Sequence, residues 1–288
     1  TTQPNVAPHA PLEHATLADS AKHDSRTSVF AWYNGISTVA LALGSFVAGI
    51  PVVGGVQSQL FGVALLLGAT SLAYLLVRPH GGGLKEGLLA KKELSVTECP
   101  HRRRIIGLAS LFAVDAFAGG MVMNSVLAHW LSTQYGLDEP VLGNLFALSG
   151  LLAAGSFSVA VWLAAHVGLV NTMVFTHLPS NVCLIAMPFL PSAEALYAVF
   201  LLRSATSQMD VPTRESFMMG VVHADERIAC SSTITIARAA ASVAGPPAAA
   251  LLWGWYGPSV PMVVGGTLKC AYDLALLATF RTLQHVDE

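Results

Sequence analysis

Six ionisable residues of this chain stand inside long apolar runs: Asp115, Arg203, Asp210, Arg238, Lys269 and Asp273. A charged side chain at the centre of a bilayer costs roughly 2.5–3.5 kcal/mol on insertion scales, so six facing lipid would cost on the order of 15–20 kcal/mol. That exceeds the stability of most whole domains. These charges must therefore pair with one another, face a cavity, or do both. Three are acidic and three basic, which suits mutual pairing. A carboxyl buried in low dielectric can take up and release a proton, and a buried guanidinium can hold an anionic group. The chemistry on offer is the binding or passage of a polar species within a membrane.

The densest set lies between residues 194 and 219. Arg203, Ser207, Asp210 and Arg214 recur at spacings of four, three and four, which is one stripe of a helix. Arg203 can hold an anionic group, Asp210 can carry a proton or pair with a cation, and Gln208 can hydrogen-bond a ligand from an adjacent face. Pro212 inside this run frees a backbone carbonyl, which is tolerated where a helix lines a cavity. A structural Asp210–Arg214 pair at i, i+4 is the competing reading. Asp115 stands near the middle of another run, with Asn124 nine residues on and so on the opposite side of an ideal helix. Only one of the two can face a cavity unless Gly119-Gly120 bends the helix, and Asp115, the costlier to leave in lipid, is preferred. Arg238 shares a stripe with Ser231, Thr235, Ser242 and Gly245 and is a candidate counter-ion for Asp115 or Asp210. Lys269 and Asp273, four apart, read best as a local salt bridge. Arg214, Lys269 and Asp273 are thus assigned to structural or gating ion pairs.

The elements that must position these residues are runs of about 20 apolar residues, the length that spans a bilayer. Eight are expected, at about 28–50, 59–78, 105–132, 140–165, 172–191, 194–219, 229–253 and 261–280. The 288-residue chain is 53% hydrophobic and 11% charged, against about 25% charged in soluble domains. A soluble all-helical protein is excluded because its helices would each carry a charged face, and the stretch 105–131 carries none. The expected fold class is an all-α polytopic membrane protein.

Lys and Arg cluster at the start of the chain (Lys22, Arg26), in the loop holding Lys85, Lys91, Lys92 and Arg102-Arg103-Arg104, at Arg227 and at Arg281. By the positive-inside rule both ends and that long loop face the cytoplasm. Trp130, Tyr135, Trp253, Trp255 and Tyr256 fall near the opposite boundary, where interfacial aromatics belong. Residues 1–27 read as a cytoplasmic segment or the remnant of an earlier helix, 28–78 as a helix pair, 79–104 as a cytoplasmic loop, 105–281 as a six-helix block and 282–288 as a tail.

Set against itself at an offset of 201, the chain aligns Pro11 with Pro212, Asp24 with Asp225, Arg26 with Arg227 and Gly44 with Gly245. The last two spans of the six-helix block then correspond to the first two of the chain. That is the pattern of a transporter built from two repeated halves, with four spans expected upstream of Thr1.

Two six-helix halves joined by a long cytoplasmic loop resemble the major facilitator superfamily. The strings Arg26-Thr27 before Phe30-Ala31-Trp32-Tyr33-Asn34, Asn171-Thr172-Met173-Val174-Phe175-Thr176-His177, Asp210-Val211-Pro212-Thr213-Arg214 and Gly245-Pro246-Pro247 carry the resemblance. It implies that the spans are numbers five to twelve of twelve. It also implies that the spans holding Asp115 and Arg203 line a central cavity, and that the last span is peripheral. The family's Asp-Arg loop signature after its eighth span is here Ala165-His166-Val167-Gly168, and Asn5 stands where an acidic residue is expected.

The four cysteines are far apart and the histidines show no i, i+4 pairing. No metal site is therefore assigned, no cofactor is expected, and nothing in the charge balance points to nucleic acid. Neither a P-loop nor a G-x-S-x-G motif is present, which leaves ATP-driven transport and serine hydrolysis unsupported. The chain is expected to be a secondary transporter, not an enzyme, moving a small solute by alternating access in the plasma (inner) membrane. Asp115, Arg203, Ser207, Gln208, Asp210 and Arg238 are expected in the substrate or proton pathway. Proton coupling is expected through Asp115 or Asp210, and efflux is favoured on the Gly-Pro element. A transport-inactive protein that only packs against another chain is the alternative.

Overall fold

The computed structural model of the protein describes residues 10–21, 25–48 and 96–280. These form ten α-helices: α1 (Ala10–Ser20), α2 (Arg26–Ala48), α3 (Arg102–Met121), α4 (Asn124–Tyr135), α5 (Glu139–Val167), α6 (Leu169–Ala186), α7 (Ala193–Ser207), α8 (Asp210–Gly220), α9 (Arg227–Tyr256) and α10 (Val260–Phe280). Short 3₁₀ segments stand at Val96–Glu98, Met187–Phe189 and Ala224–Glu226. The fold is all-α and polytopic, with six helical stretches long and apolar enough to cross a membrane among the described residues. The expected span at 59–78 lies outside them, as do most of the long loop and the tail.

Two expected spans are interrupted. The run at 105–132 is two helices, α3 and α4, parted at Val122 and Met123. The run at 194–219 is α7 and α8, parted at Gln208 and Met209. Bonds from Met209 N–H to Thr206 O (3.3 Å) and from Val211 N–H to Gln208 O (3.1 Å) carry the chain across the second break. Pro212 consequently sits in the first turn of α8, where its missing N–H would have had no helical partner, rather than kinking a continuous helix.

Local chemistry sets the remaining boundaries. The Asp138 side chain caps α5 by accepting from Val141 N–H at 3.3 Å, and Ser192 caps α7 by accepting from Ala195 N–H at 3.3 Å. Gly136 ends α4 at φ 65°, a left-handed conformation that suits glycine.

Helix α3 packs on α9, α2 on α5, and α10 on both α6 and α3. Glycine permits the tightest crossing: a Cβ on Gly245 would lie 2.5 Å from the Gly120 carbonyl carbon, and one on Gly120 would lie 2.5 Å from Ser242 O. Lipid supplies no hydrophobic drive between helices, so close backbone approach of this kind carries the packing. Large apolar side chains such as Trp162, Phe175, Ile236 and Val243 are more than half exposed, as lipid contact requires.

The 201-residue repeat has a structural counterpart. The offset carries 10–20 to 211–221 and 26–48 to 227–249, which overlay α8 (Asp210–Gly220) and the first part of α9 (Arg227–Tyr256). Helices α2, α3 and α9 all start at one end of the bundle, here called the basic end after Arg26, Arg102 and Arg227. One apolar cluster, around Phe112, Phe217, Leu276 and Phe280, lies toward that end. A second, around Trp130, Leu184, Phe200 and Met262, lies toward the other. Asp115, His177, Asn181 and Lys269 occupy the sequence intervals between the two.

Candidate functional site

A cavity of ≈ 220 Å³ opens among α1, α2, α4, α5, α7, α8 and α9. Helix α2 turns Asn34, Ser37, Thr38 and Ser45 toward it, a polar stripe at helical spacing. Helix α7 and the break after it contribute Arg203, Ser204, Ser207 and Gln208. Arg214 and Glu215 enter from α8, Thr235 and Arg238 from α9, and Asn124 from the first turn of α4.

Its charges are unevenly matched. Arg203 and Arg238 are 3% and 9% exposed, and the Nε of each lacks a hydrogen-bond partner. Among the described residues neither has an ion pair. Ser207 Oγ is also buried without a partner. Arg214, by contrast, places Nη1 2.5 Å from Asp210 Oδ2 and 4.0 Å from Asp115 Oδ2. Glu215 accepts from Asn34 Nδ2 at 2.6 Å, and its other oxygen lies 3.7 Å from His14 Nε2. Unpaired buried guanidinium groups in a water-accessible cavity are a ready anion site, because they bring several donors and a charge that cannot be given up.

A second polar layer lies behind the cavity. Lys269 Nζ donates to Asp115 Oδ1 at 2.5 Å. Asp273 meets His177 Nδ1 at 2.9 Å through Oδ1 and accepts from Asn181 Nδ2 at 2.8 Å through Oδ2. All of these side chains are buried.

The six expected pathway residues thus divide. Arg203, Ser207, Gln208 and Arg238 line the cavity, whereas Asp115 and Asp210 do not. Asn124 lines it instead of Asp115, because the chain breaks just before Asn124 and the two are not on one straight helix. The expected Lys269–Asp273 bridge is corrected: both have their partners on other helices, Lys269 an ion pair with Asp115 and Asp273 a hydrogen-bonded contact with His177. The placement of Lys before Asp, the weaker helical order, already argued against the local pair. Arg238 is likewise not the counter-ion of Asp115 or Asp210, which are held by Lys269 and Arg214. The Asp210–Arg214 pair at i, i+4 is present. Four contributors, His14, Asn34, His177 and Asn181, were not singled out because their roles come from partners on distant segments. Glu215 was legible, as an acid beside Arg214 inside an apolar run.

At the basic end the two repeats are tied together below the cavity. Arg227 donates to Asp19 Oδ1 at 2.5 Å and to Met219 O at 3.1 Å. Thr27 donates to Ser216 Oγ at 3.0 Å. Glu226 accepts from the N–H groups of His101 (3.0 Å) and His223 (3.2 Å) and lies 2.7 Å from the His101 ring.

Residues 6–246 match the Major Facilitator Superfamily. The chain belongs to that superfamily. That membership points to a membrane transporter rather than an enzyme. Over 314 residues it is 21% identical to the uncharacterized membrane protein YJR124C of Saccharomyces cerevisiae, covering 96% of this chain and 70% of the yeast protein. Its fold is similar to that of the human organic anion transporter MFSD10 (TETRAN), with a TM-score of 0.70 at 19% identity over 92% of this chain and 67% of the human one. In this superfamily member the interrupted helices α3–α4 and α7–α8 each bring their break to the cavity wall, through Asn124 and Gln208.

Proposed function

We propose that this superfamily member is a secondary transporter that moves a small organic anion by alternating access. The carrying observation is the pair Arg203 and Arg238, buried, facing one cavity, and with no carboxylate in salt-bridge contact among the described residues. An isolated buried charge costs several kcal/mol, and an anionic solute is the natural partner for two of them. The serine, threonine and asparagine groups of α2 and α7 would then hydrogen-bond the rest of the solute. The fold it shares with an organic anion transporter supports this reading. Gly245 of the Gly245-Pro246-Pro247 element serves the crossing with α3, which accounts for it without reference to the direction of transport. By the positive-inside rule the basic end faces the cytoplasm.

The test is flux in proteoliposomes loaded with radiolabelled benzoate, glutarate or tetraethylammonium. The expected result is saturable movement of at least one of the anions, lost in both Arg203→Gln and Arg238→Gln. Movement of tetraethylammonium alone, or unchanged anion flux in both variants, refutes the assignment.

A further inference from the structure

Among the described residues four basic side chains, Arg203, Arg214, Arg238 and Lys269, and four acids, Asp115, Asp210, Asp273 and Glu215, are buried in and behind the cavity. With both local histidines neutral this set carries no net charge. The charges are linked in a row. Arg214 lines the cavity and reaches Asp115 at 4.0 Å, Asp115 holds Lys269 at 2.5 Å, and one helical turn beyond Lys269 stands Asp273, joined to His177 at 2.9 Å. An anion entering beside Arg203 and Arg238 leaves the set one negative charge in excess, in a medium where unbalanced charge is costly.

We infer that His177 and Asp273 form a proton site that loads together with the anion, making this protein a proton–anion symporter. The inference rests on the anion reading above. With Asp273 ionised, His177 Nδ1–H donates to its Oδ1, and the incoming proton adds to Nε2 to give an imidazolium–carboxylate pair. Nothing else in the set changes bonding, and the proton leaves the same nitrogen when the anion departs. Histidine is suited to the task because its unperturbed titration falls between pH 5 and 8. Asn181 holds Asp273 in place by donating to its second oxygen at 2.8 Å. The titratable and charged groups around the pair are Lys269, Cys270 and Tyr272 on α10, Asp115 on α3 and Arg214 on α8. Tyr272 stacks edge-on to His177 with ring centroids 6.2 Å apart. His14, 3.7 Å from Glu215 across the cavity, is the other titratable histidine of the set.

Linkage makes the inference measurable: if the anion favours protonation, protonation favours the anion by the same factor. In lipid nanodiscs, benzoate and glutarate affinities would be measured by calorimetry at about pH 6 and about pH 8, a range that spans histidine titration and leaves both ligands ionised. Wild-type affinity should rise about tenfold toward the lower pH, an ordinary coupling strength. His177→Gln should bind with little pH dependence, and His14→Gln should keep the dependence. Equal pH dependence in wild type and His177→Gln overturns the symport inference while leaving the anion reading intact. No binding of either anion at either pH overturns both. If His177→Gln does not fold, wild-type protein labelled with ¹³C-histidine answers the same question. Anion addition at about pH 7 should move the His177 signal toward its protonated form, and an unmoved signal overturns the inference.

Discussion

Removing Lys269 isolates the energetics of the layer behind the cavity. Lys269 and Asp115 have side chains 4% and 1% exposed and meet at 2.5 Å. Lys269→Met keeps length and packing but leaves Asp115 with Arg214, at 4.0 Å, as its salt-bridge partner among the described residues. Breaking one partner out of a buried pair costs about 3–5 kcal/mol, chiefly because the remaining charge is left uncompensated. Arg214 is already engaged by Asp210 at 2.5 Å, so it relieves only part of that cost. Asp115→Asn should cost a comparable amount by stranding the ammonium. In the double variant Asp115→Asn/Lys269→Met no stranded charge remains, and a neutral, well-packed replacement of a buried pair is often nearly neutral in stability. The double variant should therefore be destabilised by less than the sum of the singles, with a coupling energy of at least about 1 kcal/mol. Reversible denaturant unfolding in mixed micelles, following tryptophan fluorescence, measures all four corners of the cycle. Additive effects would refute the pairing, as would a Lys269→Met/Asp273→Asn cycle that couples more strongly.

Three further expectations concern packing and the basic end. Gly245→Val should destabilise by about 1–3 kcal/mol or more, the usual range for overpacking, because its Cβ would meet backbone of α3 at 2.5 Å; the same unfolding assay checks it, with Gly254→Val, which meets nothing within 4 Å, as the tolerant comparison. Asn34→Ala should cost about 1–3 kcal/mol by leaving the buried Glu215 carboxylate short of a donor, and Asn34→Ala/Glu215→Gln should recover part of it. Burial, aided by the neighbouring Glu226 and Glu98 carboxylates, pushes the Cys99 thiol up. Its thiolate fraction near neutrality is thereby reduced, so maleimide should modify Cys99 slowly in folded protein and faster as pH rises, read by mass spectrometry.

Much of the architecture was legible because helix length in a bilayer is set by thickness, and apolar runs report it directly. The runs at 140–165 and 261–280 lie within or close to the α5 and α10 bounds, Glu139–Val167 and Val260–Phe280. The 201-residue offset also placed α1 against α8 and α2 against α9. The break at Val122-Met123 was legible only as a bend at Gly119-Gly120, and that at Gln208-Met209 was missed because the polar residues from Arg203 to Arg214 read as the stripe of one helix. Arg203, Ser207, Gln208 and Arg238 could be selected from type and spacing alone. Their partners could not. Spacing along one helix reports i, i+4 neighbours, so it found Asp210–Arg214 and offered Lys269–Asp273. Only the packing of α10 between α3 and α6 decides that Lys269 reaches Asp115 and that Asp273 reaches His177.

The sharpest test of the anion site is the affinity of purified protein for benzoate and glutarate against tetraethylammonium, measured by ligand-induced thermal stabilisation at fixed pH and ionic strength. Stabilisation by at least one anion, absent with tetraethylammonium and lost in Arg203→Gln and Arg238→Gln, is the predicted result. Stabilisation by tetraethylammonium alone, or by the anions equally in wild type and both arginine variants, would contradict it.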